Sequence, residues 1–270
     1  MKNLLLVNAS PRRERSLSRR LATAFVTEWL AWRPHDRIVE RDVGIDHPPL
    51  LTEAWIAACF TPEEQRTPAQ RDVLSYSDAA IAELARADLV IIATPRYNYG
   101  MPAALKAWFD QVIRINRTFR FDAAEKTWPL SPLMSGKQLV LLSASGEFAF
   151  HPGGLRERWE HLEPHVRTCA HYLGVASADV HHVGVEYQEF GDDRPGPRCS
   201  RRWTWRRHSP AGWPTTRTKA NATLAGGPQR SLPAPNAEPH QRDGDGQDGQ
   251  RRTRVQPGPS LRGDQCTGAK

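Results

Sequence analysis

Cysteine is scarce and scattered, with four in 270 residues at positions 59, 169, 199 and 266 and no Cys-x-x-Cys pair. That spacing supplies neither a disulfide framework nor a zinc ribbon, and it fits a reducing, cytoplasmic setting. Long apolar runs are also missing. Leu4 to Val7 is too short for a signal-peptide core, and no later run approaches the ~20 residues of a membrane span, so a soluble, unexported protein is expected. No internal repeat is visible, and no third ligand completes a metal set around the histidines.

The excess of positive charge is confined to one end of the chain. Residues 1–194 hold 23 Lys and Arg against 25 Asp and Glu, whereas residues 195–270 hold 14 against 5. The same last 76 residues contain 10 Pro and 10 Gly but no Ile, Phe, Tyr or Met. Such a segment buries too little apolar surface to offset the entropy of ordering its backbone. The expected organisation is therefore one folded domain over 1–193 and a disordered basic Pro/Gly-rich tail over 194–270. The abrupt change near Asp193 is what a GC-rich coding sequence read in a shifted frame would produce; a genuine disordered extension is the alternative.

Within the first part, apolar runs alternate with helical periodicity. Leu4 to Val7 reads as a buried strand, and Ser18 can cap a helix whose face is Leu21, Ala22, Phe25, Val26, Trp29 and Leu30 until Pro34. Ile38 to Val43 follows as a short strand, then short and long helices over 53–60 and 68–86. Leu89 to Ala93 is the strongest strand, broken at Thr94-Pro95, and Ala103 to Ile115 is helical. Gln138 to Leu142 is a fourth strand, Leu155 to Leu173 a helix despite Pro164, and Val180 to Glu186 a fifth strand. This alternation predicts an α/β doubly wound parallel sheet with helices on both faces.

In open parallel sheets ligands bind beyond the carboxyl ends of the strands, near the point where strand order reverses. The loop after the first strand carries Ser10, Ser16, Leu17 and Ser18 ahead of a helix. Its hydroxyls and free backbone N–H groups suit a phosphate dianion. The loop lacks Gly-x-Gly-x-x-Gly and the Walker pattern, so one phosphate is expected rather than a pyrophosphate; a plain serine-rich helix cap is the alternative. After the third strand, Arg96-Tyr97-Asn98-Tyr99 and a glycine lie between prolines. They offer flat surfaces for a planar heteroaromatic ring, or else a Pro-bounded turn with buried tyrosines. The fourth strand ends in Ser143-Ala144-Ser145-Gly146.

These segments together resemble the flavodoxin-like FMN-dependent NADH:quinone oxidoreductases, the azoreductase family. The resemblance rests on Ser10, Ser16 to Ser18, Pro95 to Tyr99, Leu105 to Asp110, Thr118 to Phe121 and Ser143 to Gly146, and covers residues 1 to about 193. It implies a five-stranded flavodoxin-like sheet of order 2-1-3-4-5 and an FMN cofactor. NADH would be the electron donor, and quinones and aromatic azo compounds the acceptors in a ping-pong cycle, within a homodimer. The resemblance places Ser10 and Ser16, Leu17 and Ser18 on the FMN phosphate. Arg96, Tyr97, Asn98 and Tyr99 would line the isoalloxazine, and Ser143, Ala144, Ser145 and Gly146 its pyrimidine side. It assigns no catalytic side chain, because the flavin supplies the chemistry. Arg96 stands where the family usually has an apolar residue, so it is expected to bring a cation to the flavin and raise its potential. Ala144-Ser145 replaces a common Arg-Gly pair.

Other features are read more plainly. His161 and His165 have metal-like spacing but belong to a solvated helix face, His181 and His182 alternate across the last strand, and Phe119 and Phe121 are either core or a cap on the flavin pocket. The Arg201 to Arg207 cluster with its two tryptophans could track nucleic acid, a partner that the lack of a folded platform around it speaks against. The functional alternatives are an NADPH-dependent FMN or chromate reductase and a flavodoxin-type electron carrier. The near-neutral charge of the core speaks against a carrier, which would usually be strongly acidic.

Overall fold

The computed structural model describes residues 1–186; the readings of the tail, of the change near Asp193 and of the Arg201 to Arg207 cluster lie outside the described residues. Five parallel strands form the sheet: β1 (Asn3–Asn8), β2 (Arg37–Asp42), β3 (Leu89–Pro95), β6 (Lys137–Ala144) and β7 (Val175–Val185). Their order is β2-β1-β3-β6-β7, the expected 2-1-3-4-5 once a small hairpin is set aside. That hairpin pairs β4 (Phe119–Phe121) with β5 (Leu130–Pro132). Strands of three residues are too short to show alternation, which is why the sequence pattern misses them.

The helices are α1 (Leu17–Trp32), α2 (Glu53–Phe60), α3 (Pro68–Arg86), α4 (Ala103–Val112) and α5 (Glu163–Tyr172). All seven residues of β3 are buried, because β3 lies mid-sheet with apolar layers on both faces. On one face Leu5, Val7, Val90, Ile92, Leu139 and Leu141 meet Ala80, Ile81 and Leu84 of α3, Leu105, Trp108 and Phe109 of α4, and Val166 and Ala170 of α5. On the other, Leu4, Leu6, Leu89, Ile91, Val140 and Leu142 meet Leu21, Phe25 and Trp29 of α1. Burying each such side chain contributes about 1.5–3 kcal/mol, so the alternation of these strands holds the sheet between its helices.

Several boundaries differ from the sequence reading; the helix expected over Ala103 to Ile115, for one, ends at Val112. The cap of α1 is Ser16, whose side chain accepts from Arg19 N, while Ser18 lies inside the first turn. The expected helix over 155–173 begins only at Glu163, with Pro164 in its first turn. Proline lacks the N–H that an interior turn needs but suits a helix start, so residues 155–162 form only a short 3-10 turn at Glu157–Trp159. The last strand starts earlier, at Val175, with its pairing displaced between Val175 and Val180. Among the described residues, no helix is long and apolar enough to cross a membrane.

Candidate functional site

Strand order turns around between β1 and β3: the chain runs from β1 outward to β2, then returns to place β3 on the other side. A crevice therefore opens above the carboxyl ends of these strands. A cleft of about 200 Å³ lies there, lined by Ser10, Arg12, Arg15, Ser16, Leu17, Ser18, Pro95, Arg96, Tyr97, Ala144 and Gly146. Eight of the twelve site residues expected from sequence are in that lining. The other four, Asn98, Tyr99, Ser143 and Ser145, stand beside it and support its walls.

The serine loop is held by contacts that sequence reading does not reveal. Ser16 and Ser18 bring their hydroxyls within 3.1 Å of each other at the amino end of α1, and both are buried. Arg19, one turn into α1, donates to Ser10 O at 2.6 Å and to Arg12 O at 2.9 Å, while its guanidinium grips Asp42 at the end of β2. The loop is thus folded around an ion pair. Arg12 and Arg15 add positive charge at its exposed rim. Hydroxyls, a helix amino end and two arginines are groups that could hold a phosphate.

The second wall is a tight turn. Asn98 and Tyr99 both have positive φ, 47° and 68°, and Tyr97 and Gly100 close the turn through paired backbone bonds of 3.1 and 2.9 Å. Left-handed conformations at two non-glycine residues cost on the order of 1–3 kcal/mol each, and such strain persists only where surroundings enforce it. Here Tyr99 Oη donates to Glu147 at 3.0 Å, its ring meets Trp159 edge-on at 4.8 Å, and its carbonyl accepts from His161 N at 3.2 Å. The hydrogen bond to Glu147, then burial and the carboxylate charge, push the Tyr99 hydroxyl above its ordinary pKa, so it stays a neutral donor.

Arg96 behaves differently from the sequence expectation. Its guanidinium donates to Glu160 and to Ser145 Oγ (3.0 Å) and lies 3.9 Å from the centre of the Phe150 ring. The cation is balanced by a carboxylate, so a free positive charge beside the ligand is not what the structure contains. The third wall, 143–146, is anchored from the other side. Ser143 Oγ is 2.8 Å from His182 Nε2, and His182 Nδ1 is 2.6 Å from Glu163. With Glu163 ionised, Nδ1–H donates to it, and Nε2 and the Ser143 hydroxyl share a hydrogen bond on the other side of the ring.

His182 is therefore more than an alternating strand residue. Pairing on a neighbouring strand is the only signal for it, and spacing in the sequence does not carry that. His161 precedes α5 instead of sharing a helix face with His165, and among the described residues no three metal-ligating side chains converge. Phe119 packs edge-on to Tyr172 at 5.6 Å, while Phe121 is 56% exposed and is neither core nor lining of the cleft.

An FMN fits this donor set. The serine loop offers donors that could hold its phosphate, and the buried Arg96 Nη1 finds no acceptor among the described residues although its side chain lines the cleft. Comparisons with known proteins point the same way. A family model described as a flavodoxin-like fold matches residues 2–196. FMN-dependent NADH:quinone oxidoreductase 2 of Idiomarina loihiensis is 49% identical over 179 residues, covering 66% of this chain and 74% of that protein. The protein of the same name from Colwellia psychrerythraea is 46% identical over 201 residues, covering 72% and 91%. A solved azoreductase from Bacillus anthracis str. Sterne shares the fold with a TM-score of 0.62 at 23% identity, over 70% of this chain and 88% of the other. The chain belongs to this family of flavodoxin-like fold, with curated FMN-dependent NADH:quinone oxidoreductases among its relatives.

Proposed function

We propose that this chain is an FMN-dependent oxidoreductase that passes electrons from NADH through bound FMN to quinones and aromatic azo compounds. One observation carries the reading: three buried serine hydroxyls and the amino end of α1 meet at the β1/β3 switch point, in a chain whose named relative is 49% identical. Bound FMN supplies reversible two-electron chemistry, and the protein supplies position and hydrogen bonds.

The chain's residues divide that work. Ser10, Ser16 and Ser18, with the N–H groups of the first turn of α1, hold the phosphate, and Arg12 and Arg15 balance its charge. Leu17 and Pro95 give the cleft its apolar surface. The strained turn at Arg96, Tyr97, Asn98 and Tyr99 presents backbone groups and aromatic faces to the isoalloxazine. Ser143, Ala144, Ser145 and Gly146 bound the pyrimidine side, with Ser143 oriented by His182. No side chain need act as a nucleophile.

The chain works as a homodimer in the cytoplasm. In support of the dimer, Trp159 is 54% exposed while touching Tyr99, so a large aromatic surface beside the cleft is open for a second copy to cover. Purified chain reconstituted with FMN is expected to hold one FMN per chain, to oxidise NADH when a small quinone is added, and to run as a dimer by light scattering. Release of FAD, or no flavin retained after reconstitution, overturns the cofactor assignment. Retention of FMN without quinone-dependent NADH oxidation overturns the activity.

A further inference from the structure

Two opposite charges sit almost out of solvent at the edge of the cleft: the side chains of Arg96 and Glu160 are 5% and 12% exposed. Glu160 is pinned. Its Oε1 accepts from the backbone N–H groups of Leu162 (2.8 Å) and Glu163 (2.9 Å) at the start of α5, and its Oε2 takes Arg96 Nη2. Arg96 is held just as firmly, by Ser145 Oγ on Nε and by the Phe150 face, itself only 4% exposed. What remains is Nη1, buried and without an acceptor among the described residues, on a side chain that lines the cleft. An arginine fixed on three sides keeps its guanidinium in one place in the cleft wall.

The electrical consequence follows from the pairing. A lone guanidinium in a poorly solvated wall would favour an anion beside it strongly, whereas a guanidinium in contact with a carboxylate presents only a dipole. We propose that Glu160 is a positioning residue for the flavin. It holds Arg96 in the cleft wall and cancels the arginine's charge, so that an arginine stands beside the flavin without raising its potential. This rests on the FMN reading above.

The test is the two-electron midpoint potential of the FMN-loaded full chain, titrated against reference dyes. The variants are Glu160→Gln, Arg96→Met and the double variant. Glu160→Gln, which leaves the cation unbalanced, is expected to shift the potential upward. Arg96→Met, which leaves the carboxylate unbalanced, is expected to shift it downward, and the double variant is expected to lie between the singles, near the parent protein. Because Glu160 also caps α5, Glu160→Gln can lose folded protein. Arg96→Met and the double variant then carry the test, through a downward shift that the second substitution removes. Normal FMN uptake with parent-like potentials in Arg96→Met and the double variant overturns the charge balance alone. A parent chain that takes up no FMN overturns the cofactor reading, and this proposal with it.

Discussion

At the first turn of α1 one hydroxyl serves two purposes. Ser16 caps the helix by accepting from Arg19 N at 3.3 Å, and it lies 3.1 Å from Ser18 in the loop proposed to hold the phosphate. Replacing both serines by Ala removes two bonds to a charged ligand, each worth about 1.5–3 kcal/mol, so FMN affinity is expected to fall about tenfold or more in a fluorescence titration. The same change costs about 1 kcal/mol of ligand-free stability through the lost cap. A folded double variant with parent affinity would refute the phosphate assignment. Gly44, which sequence reading passed over, bears on the same loop from behind. A Cβ there would lie 2.3 Å from Ser10 O and 2.5 Å from Ser10 C, both backbone atoms that cannot turn aside. Gly44→Ala is expected to destabilise the fold by about 1–3 kcal/mol and to weaken FMN binding by displacing Ser10, as read by urea melts and titration. Tight FMN binding in that variant would show that the loop tolerates movement.

The amino end of α5 links the helix to the last strand. Burial by itself raises the pKa of Glu163, but hydrogen bonds and charge from His182 and Arg167 outweigh it and hold the carboxyl down at about 2, against an ordinary 4.5. A depressed carboxyl contributes stability that is fully present above its unfolded value and is lost as pH falls through its folded one. The contribution is thus present above pH 4.5 and lost progressively toward pH 2. Glu163→Gln is expected to flatten that acid limb relative to the parent in urea melts taken along a pH series. An identical slope in both proteins would show that the pairing does not survive in solution. Strands β1, β3 and β6 were legible because continuous apolar runs bounded by Pro, Asn or Ser have few other readings. The start of α5 was not, because Pro164 fits a helical periodicity and breaks a helical hydrogen bond at once. Its effect depends on whether the preceding turn is helical, which Glu160 decides by capping at Leu162 and Glu163.

For the molecule as a whole, the ligand cleft is made of three loops that meet only after the sheet has formed. A ligand that binds only this assembled state stabilises it by mass action, about 2.7 kcal/mol at a hundredfold excess over Kd. Thermal melts are expected to rise with FMN concentration, and to rise much less with riboflavin, which lacks the phosphate that the serine loop would hold. Equal shifts with the two ligands would move the binding energy away from the loop.

Apolar runs at periods of two and 3.6 residues determined the layers of this protein, and right-handed crossovers left few orders for its strands, so the sheet and the three candidate loops could be read from sequence alone. The partners across those loops were decided by tertiary structure. Glu160 stands 64 residues from Arg96, and His182 stands 39 from Ser143. Each pair meets because neighbouring parallel strands and the start of α5 end at the same edge of the sheet. The charge of a side chain is a property of its residue, but whether that charge is balanced depends on what the fold places against it, and no local pattern records that distance.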